Sequence, residues 1–159
     1  GALDIRVQCS GFIYGLSIAE QYIRTGNFKN ILLIGAEVQS TAMNLTDEGR
    51  DTAIIFGDGS GAAIISATEE NKGILSTHMH SEGKYLKELW LEAPASNAGH
   101  PRITREVLDE GKQYLKMNGK KFSGMHSPDF RKLLMKHWKQ ITSHQKILIC
   151  SYPIRQISA

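Results

Sequence analysis

The first part of the chain alternates between strand-like and helical patterns of apolar residues. Residues 3–7 have the pattern of a short strand, and a helical stripe follows at Phe12, Leu16, Ala19 and Ile23. Gly26 comes next as a helix stop. Residues 30–35 form an apolar run of strand length, which is typical of a strand buried on both faces of a parallel or mixed sheet. The order strand, helix, strand predicts an α/β fold.

The predicted helix has apolar residues on more than one face, which indicates a buried helix. Three further segments have strand patterns: residues 52–56, 62–67 and 74–80. Because a glycine-rich stretch at residues 57–61 separates the first two, we expect them to form a hairpin. Residues 106–117 predict a second helix, which Asn118 and Gly119 would end.

Composition narrows the class of protein. The length of 159 residues suits about one domain. No apolar run reaches about 18 residues, so we predict no transmembrane helix, and no signal peptide is recognisable. The chain does not begin with Met, from which we expect a fragment or a processed product. Its two cysteines form no disulfide framework or metal-ligand pair, which indicates a reducing, cytoplasmic location.

Charge is distributed unevenly along the chain. Residues 1–122 carry 13 Lys and Arg against 15 Asp and Glu, whereas residues 123–159 carry 6 basic residues and 1 acidic residue. A basic tail is one signature of nucleic-acid or membrane-surface binding. The charge pattern alone leaves this interpretation open.

Cys9 is the strongest candidate for chemistry. It lies between the strand-like lead-in and the predicted helix, which Ser10 and Gly11 open. A thiol at a helix N-terminus faces unpaired backbone N–H groups and the positive end of the helix dipole, and this environment favours the thiolate. A free cysteine is more often a small buried apolar residue. The strand–Cys–Ser–Gly–helix context favours a nucleophile for covalent acyl transfer.

Other polar motifs are weaker. The glycine-rich stretch at residues 57–61 lacks the Lys-Ser/Thr of a P-loop and is interpreted as a turn. His78 and His80 lie on one side of a predicted strand, but no third metal ligand follows at a suitable spacing. Glu37 and Asp58 each follow an apolar segment, and structural roles are favoured over a catalytic carboxylate pair.

Four segments occur together in an order that resembles a known family. They are CSGFIYGLSIAEQYI at residues 9–23, ILLIGAEV at 31–38, EGRDTAIIFGDGSGAAII at 48–65 and ILSTHMHSEG at 74–83. YLKMNGKKF at residues 114–122 is a fifth. Over residues 3–122 the chain resembles β-ketoacyl-acyl-carrier-protein synthase III. Thiolases and chalcone-type synthases share the expected fold and cysteine but are less similar in the third and fourth segments.

The resemblance implies a partial thiolase-like fold, limited to part of the N-terminal half, with a buried helix after the nucleophile and a mixed sheet. It implies a homodimer that starts fatty acid synthesis without a cofactor. Cys9 would take an acyl group from acyl-CoA, malonyl-acyl carrier protein would lose CO₂, and the carbanion would attack the Cys9 thioester. Arg50 matches a contact to the adenine end of CoA, and Phe56 matches a residue near the catalytic centre.

The family pattern stops after Phe122, where the charge balance changes. The family's Pro-His-Gln-Ala-Asn motif, which stabilises the enolate together with a later asparagine, does not occur in the sequence. With permitted codons for residues 151–157, however, a reading frame shifted by one base gives Ile-Pro-His-Gln-Ala-Asn. Loss of one G in the codons for Lys121 and Phe122 would account for the shift. We therefore predict that residues 123–159 are an out-of-frame tail with no domain of their own.

The leading interpretation is a condensing acyltransferase whose incomplete chain is catalytically deficient and exposes faces that the whole fold would cover. Two alternatives stay open. One is another thiolase-fold starter synthase of polyketide or alkylquinolone type, which substrate tests would separate. The other is a non-catalytic remnant whose basic tail binds nucleic acid, which salt-dependent binding to DNA would support. An out-of-frame tail removes the reason to expect nucleic-acid or membrane partners.

Overall fold

The computed structural model describes residues 1–70, 72–79, 81, 83–93, 100–119 and 149–150. Within these ranges, helices α1 to α3 span Gly11–Arg24, Arg50–Ala53 and Arg105–Asp109. Strands β1 to β6 span Asn30–Glu37, Gly59–Ser66, Thr77–His78, Leu89–Leu91, Leu115–Met117 and Ile149–Cys150. Strand β1 pairs with β2, β3 pairs in parallel with β6, and β4 pairs antiparallel with β5. The α/β class is as predicted.

The described residues belong to two compact units. The first contains Gly1–Gly35, Ser60–Ser81 and strand β6, and the second contains Ala36–Gly59 and the described residues between 83 and 119. Apart from β6, the predicted out-of-frame tail at residues 123–159 lies outside the described residues. No described helix is both long and apolar enough to cross a bilayer.

Helix α1 confirms the helical stripe. Its buried residues are Gly15, Leu16 and Ala19, whereas Phe12 and Tyr22 are 36% and 40% exposed. The expectation of a buried helix therefore holds for one face only. The helix ends where Gly26, at φ +76°, donates its N–H to the Ile23 carbonyl at 3.0 Å. Glycine adopts this left-handed conformation without a steric penalty, so Gly26 is the stop that the sequence predicts.

Strand β1 packs one of its faces on α1. A Cβ added at Gly15 would lie 2.5 Å from Leu33 Cδ1, and one added at Gly35 would lie 3.2 Å from Phe12 Cδ2. The two glycines therefore let helix and strand approach closely. The expectation that β1 is buried on both faces is wrong for its other face, where Leu32 is 62% exposed. No described element covers that side.

The contacts between β1 and β2 show the direction of one strand relative to the other. Ser66 Oγ donates to Asn30 Oδ1 at 2.7 Å, and a Cβ at Gly59 would lie 3.3 Å from Glu37 Oε1. Because the start of each strand lies beside the end of the other, the two strands run antiparallel.

The predicted hairpin between residues 52–56 and 62–67 is wrong. Residues 52–56 begin in α2 and continue as a helical turn, since the N–H groups of Ile55 and Phe56 both donate to the Thr52 carbonyl at 3.0 Å. Thr52 Oγ1 also donates to the Gly49 carbonyl at 2.9 Å. These local hydrogen bonds outweigh the β propensity of the segment. Residues 57–61 are not the predicted turn, because β2 already begins at Gly59.

Three further predictions need correction. Residues 3–7 form no strand, because no described strand pairs with them. Of residues 74–80, only β3 is a strand. Of residues 106–117, only the start is helical: Thr104 Oγ1 accepts from Val107 N and caps α3, and Gly111 at φ +62° turns the chain toward β5. Pairing with β4 then makes β5 extended.

Candidate active site

Cys9 lies in a one-turn 3₁₀ segment, Gln8–Ser10, that runs directly into α1. The thiol-bearing residue is exposed. Ser10 is the N-cap of α1, but its side chain makes no capping hydrogen bond. The first N–H groups of the helix therefore have no cap from the Ser10 side chain, and Cys9 lies one residue before this N-cap. The predicted placement at a helix N-terminus is confirmed, and the catalytic role stays a prediction.

The turn around Cys9 is closed by backward hydrogen bonds. Ser10 donates both its N–H and its hydroxyl to the Val7 carbonyl, each at 3.2 Å. Ser10 is only 3% exposed, whereas Gln8 is exposed and has a φ of +33°. Reasoning from the sequence placed Ser10 at the start of the helix, as the structure does, but missed its buried hydroxyl and the conformation of Gln8. Glutamine has no preference for the left-handed region, so the chain carries no signal for this conformation.

Arg50 and Phe56 lie on one local segment of the second unit. Arg50 opens α2, and its side chain, 69% exposed, pairs with Asp47 at 2.7 Å between Nη2 and Oδ1. Phe56 is half-buried at the end of the helical turn that follows. Cys9 belongs to the first unit, whereas Arg50 and Phe56 belong to the second.

The Asp58 carboxylate is hydrogen-bonded to Ser40, in the loop after β1. Its Oδ1 accepts from the Ser40 N–H and its Oδ2 from the Ser40 hydroxyl, both at 2.7 Å. These hydrogen bonds hold the pKa of Asp58 below its ordinary value of 3.8, and the one from the Ser40 backbone N–H has the largest effect. The carboxylate ties the loop after β1 to the start of β2, which is the structural role favoured for it.

The described residues contain no group of three or more His, Cys, Asp or Glu side chains that could hold a metal ion. His78 has its Nε2 at 3.1 Å from Ser76 Oγ. His80 lies outside the described residues.

Comparison with known proteins identifies relatives of the chain. Residues 3–83 match the family model of 3-oxoacyl-[acyl-carrier-protein (ACP)] synthase III. Over 117 residues the chain is 45% identical to β-ketoacyl-[acyl-carrier-protein] synthase III of Methylococcus capsulatus, covering 73% of this chain and 35% of the relative. Over 147 residues it is 40% identical to the Sulfurovum enzyme of the same name, covering 92% of this chain and 41% of that relative.

Solved structures agree. The 3-oxoacyl-[acyl-carrier-protein] synthase III of Aquifex aeolicus is similar with a TM-score of 0.56 and 38% identity, over 76% of this chain and 32% of that one. Another 3-oxoacyl-(acyl-carrier-protein) synthase III gives a TM-score of 0.71 at 26% identity, over 87% of this chain and 44% of that one. The chain therefore spans about a third to somewhat under half of the length of these four proteins.

Proposed function

The chain belongs to the 3-oxoacyl-[acyl-carrier-protein] synthase III family, and we propose that it carries the acyl-accepting nucleophile of a condensing acyltransferase. The observation that supports this most directly is the exposed Cys9 at the N-terminus of α1, inside the matched residues 3–83. A thiolate in this position is stabilised by the helix dipole and is a strong nucleophile toward thioesters.

The first step is transfer of an acyl group. The Cys9 thiolate attacks the carbonyl carbon of acyl-CoA, the Cys9 backbone N–H helps stabilise the oxyanion, and CoA leaves as a thiolate that takes up a proton. The second step joins the acyl group to malonyl-acyl carrier protein, which loses CO₂ as its carbanion attacks the Cys9 thioester and releases the Cys9 thiolate.

We assign only the first step to these 159 residues. Decarboxylation needs donors that stabilise the enolate, and the family's Pro-His-Gln-Ala-Asn motif does not occur in the sequence. In the whole enzyme the substrate class is acyl-CoA plus malonyl-acyl carrier protein, the assembly is a homodimer, and the location is the cytoplasm.

Arg50 and Phe56 are proposed as contributors to CoA binding. The Arg50 guanidinium is exposed and forms a surface pair with Asp47. Such pairs are weak in water, so a phosphate-bearing ligand can compete for the guanidinium. Phe56 is half-buried six residues further along the same segment and offers an apolar side chain.

The test is acylation of the protein by acetyl-CoA, followed by intact-mass spectrometry. We expect one acyl group on the unmodified chain and none on the Cys9→Ala variant. Cys150→Ala is the matched control, because it removes the other cysteine and should leave acylation unchanged. Acylation that persists in Cys9→Ala, or that is lost in Cys150→Ala, would contradict the proposal.

The reading frame of the tail has its own test. We propose that residues 123–159 are out of frame, and sequencing of the encoding DNA across the codons for Lys121 and Phe122 decides this. One additional base would restore Pro-His-Gln-Ala-Asn, and the corrected protein should then complete the condensation. An unchanged sequence would leave Cys9 without those partners.

A further inference from the structure

The residue before the nucleophile has a costly backbone conformation. Gln8 has a φ of +33°, in the region that side chains other than glycine, asparagine and aspartate rarely adopt. Its side chain is exposed, so burial of the side chain does not account for this conformation. Such conformations persist only where the surrounding structure imposes them, and they cluster at functional sites.

The hydrogen bonds of the turn provide that constraint. The Val7 carbonyl accepts two hydrogen bonds from Ser10, one from the N–H and one from the hydroxyl, each at 3.2 Å. The Gly11 N–H donates to the Gln8 carbonyl. Because Ser10 is 3% exposed, water hardly competes for its hydroxyl. The chain is thus fixed on both sides of Cys9.

We propose that Gln8 and Ser10 are positioning residues that hold the Cys9 thiol at the N-terminus of α1. Ser10 closes the turn through hydrogen bonds to the Val7 carbonyl, and the left-handed conformation of Gln8 sets the direction in which the chain enters that turn. This deepens the proposed function, on which its catalytic meaning rests.

The chemistry explains why the position of Cys9 matters. The field of a helix dipole falls off within the first turn, so a small displacement of the thiol loses much of the stabilisation of its thiolate. A flexible turn would also spread the thiol over many geometries and lower the fraction that is ready to react. Gln8 and Ser10 act through Cys9 and need not touch the substrate.

The experiment measures the rate of Cys9 alkylation by iodoacetamide as a function of pH, in the full chain with Cys150→Ala so that one thiol remains. At position 8, Gln8→Gly and Gln8→Asn should keep the rate and pH profile, because both residues tolerate a left-handed conformation. Gln8→Val should slow alkylation about tenfold and move the profile to higher pH, because a β-branched residue disfavours that conformation.

At position 10, Ser10→Ala should slow alkylation about fivefold, as expected for the loss of one ordinary hydrogen bond. Ser10→Thr keeps the hydroxyl and should restore most of the rate. In denaturant all variants should react equally, which shows that the difference belongs to the folded turn. If one of the position-10 variants fails to melt cooperatively, the position-8 series decides the question.

Equal native rates and pH profiles for Gln8→Gly, Gln8→Val and Ser10→Ala would overturn the proposal. Alkylation does not require acyl-CoA, so the two hypotheses fail separately. A chain that shows the predicted alkylation series but accepts no acyl group keeps the positioning role and loses the proposed acyl transfer.

Discussion

The two faces of the β1–β2 pair have similar apolar sequences and different surroundings. On one face Leu33 contacts Gly15 of α1, and Phe12 of α1 approaches Gly35 closely. The other face has three largely exposed side chains, Leu32 at 62%, Ile34 at 60% and Ile64 at 75%. We call these the inner and the outer face. Adjacent residues of one strand therefore differ in what they can contribute to stability, although their side chains are chemically alike.

The difference matters for the candidate site because α1 covers the inner face and begins just after Cys9. Any change that loosens α1 from β1 also disturbs the helix N-terminus at which the thiol lies. Changes on the outer face have no such connection. A contiguous exposed apolar surface favours association of one chain with another, so its effect should be on aggregation.

The largest effect should come from a charge on the inner face. Leu33→Lys should destabilise the fold by roughly 2–3 kcal/mol, because it removes apolar contacts with α1 and places an ammonium group there. Chemical denaturation followed by circular dichroism measures the loss. A free energy of unfolding unchanged from that of the parent chain would show that the inner face is not a stabilising contact.

A somewhat smaller effect is expected from overpacking the same contact. Gly15→Leu should cost about 1–2 kcal/mol, since even a single Cβ would lie 2.5 Å from Leu33 Cδ1. Combining it with Leu33→Ala should recover part of that cost, because the smaller side chain vacates the space. Strict additivity of the two changes in a double-mutant cycle would contradict this packing.

On the outer face, Ile34→Lys should change the free energy of unfolding by less than about 0.5 kcal/mol, as is usual for exposed positions. It should reduce aggregation, measured by light scattering over a concentration series, because it interrupts the exposed apolar surface. This variant is the matched control for Leu33→Lys on the neighbouring residue. A large destabilisation would mean that the outer face is covered.

The smallest effect concerns neither face but the link between Asp58 and Ser40. Because hydrogen bonds hold the pKa of Asp58 below 3.8, its contribution to stability is complete above that value and is lost as pH falls through the lower folded-state pKa. Ser40→Ala removes the hydroxyl donor and should raise the pKa of Asp58 part of the way, as followed by NMR titration of its carboxyl carbon. Thr41→Ala should leave that titration unchanged, because the Thr41 hydroxyl donates to the Val38 carbonyl.

Elements set by local patterns and terminators could be predicted from the sequence. The stripe at residues 12–23 and the stop at Gly26 gave α1, and the apolar run at residues 30–35 gave β1. The segment at 52–56 could not be predicted by the same reasoning, since the hydrogen bonds of Thr52 to and from the backbone decide its conformation. The strand at 115–117 depends on pairing with β4, which no local pattern reveals.

In the candidate site too, features set by the local sequence could be predicted, and features set by the three-dimensional structure could not. Cys9 was found because a thiol before a helical run has a recognisable chemical meaning. The left-handed φ of Gln8 and the buried hydroxyl of Ser10 were not found, because both depend on how the turn closes in three dimensions. The burial of one face of β1 and the exposure of the other also lie beyond the pattern, since both faces are apolar.

The parallel pairing of β3 with β6 has a consequence for the order of folding. It joins Thr77 to Ile149 and His78 to Cys150, residues about 70 positions apart in the chain, whereas α1 and β1 meet across a short connection. Closing the longer loop costs more chain entropy before any contact compensates for it, so we expect the α1–β1 contact to form early and β6 to dock late. Substitutions at Gly15 or Leu33 should therefore slow refolding, while changes in β3 should mainly accelerate unfolding.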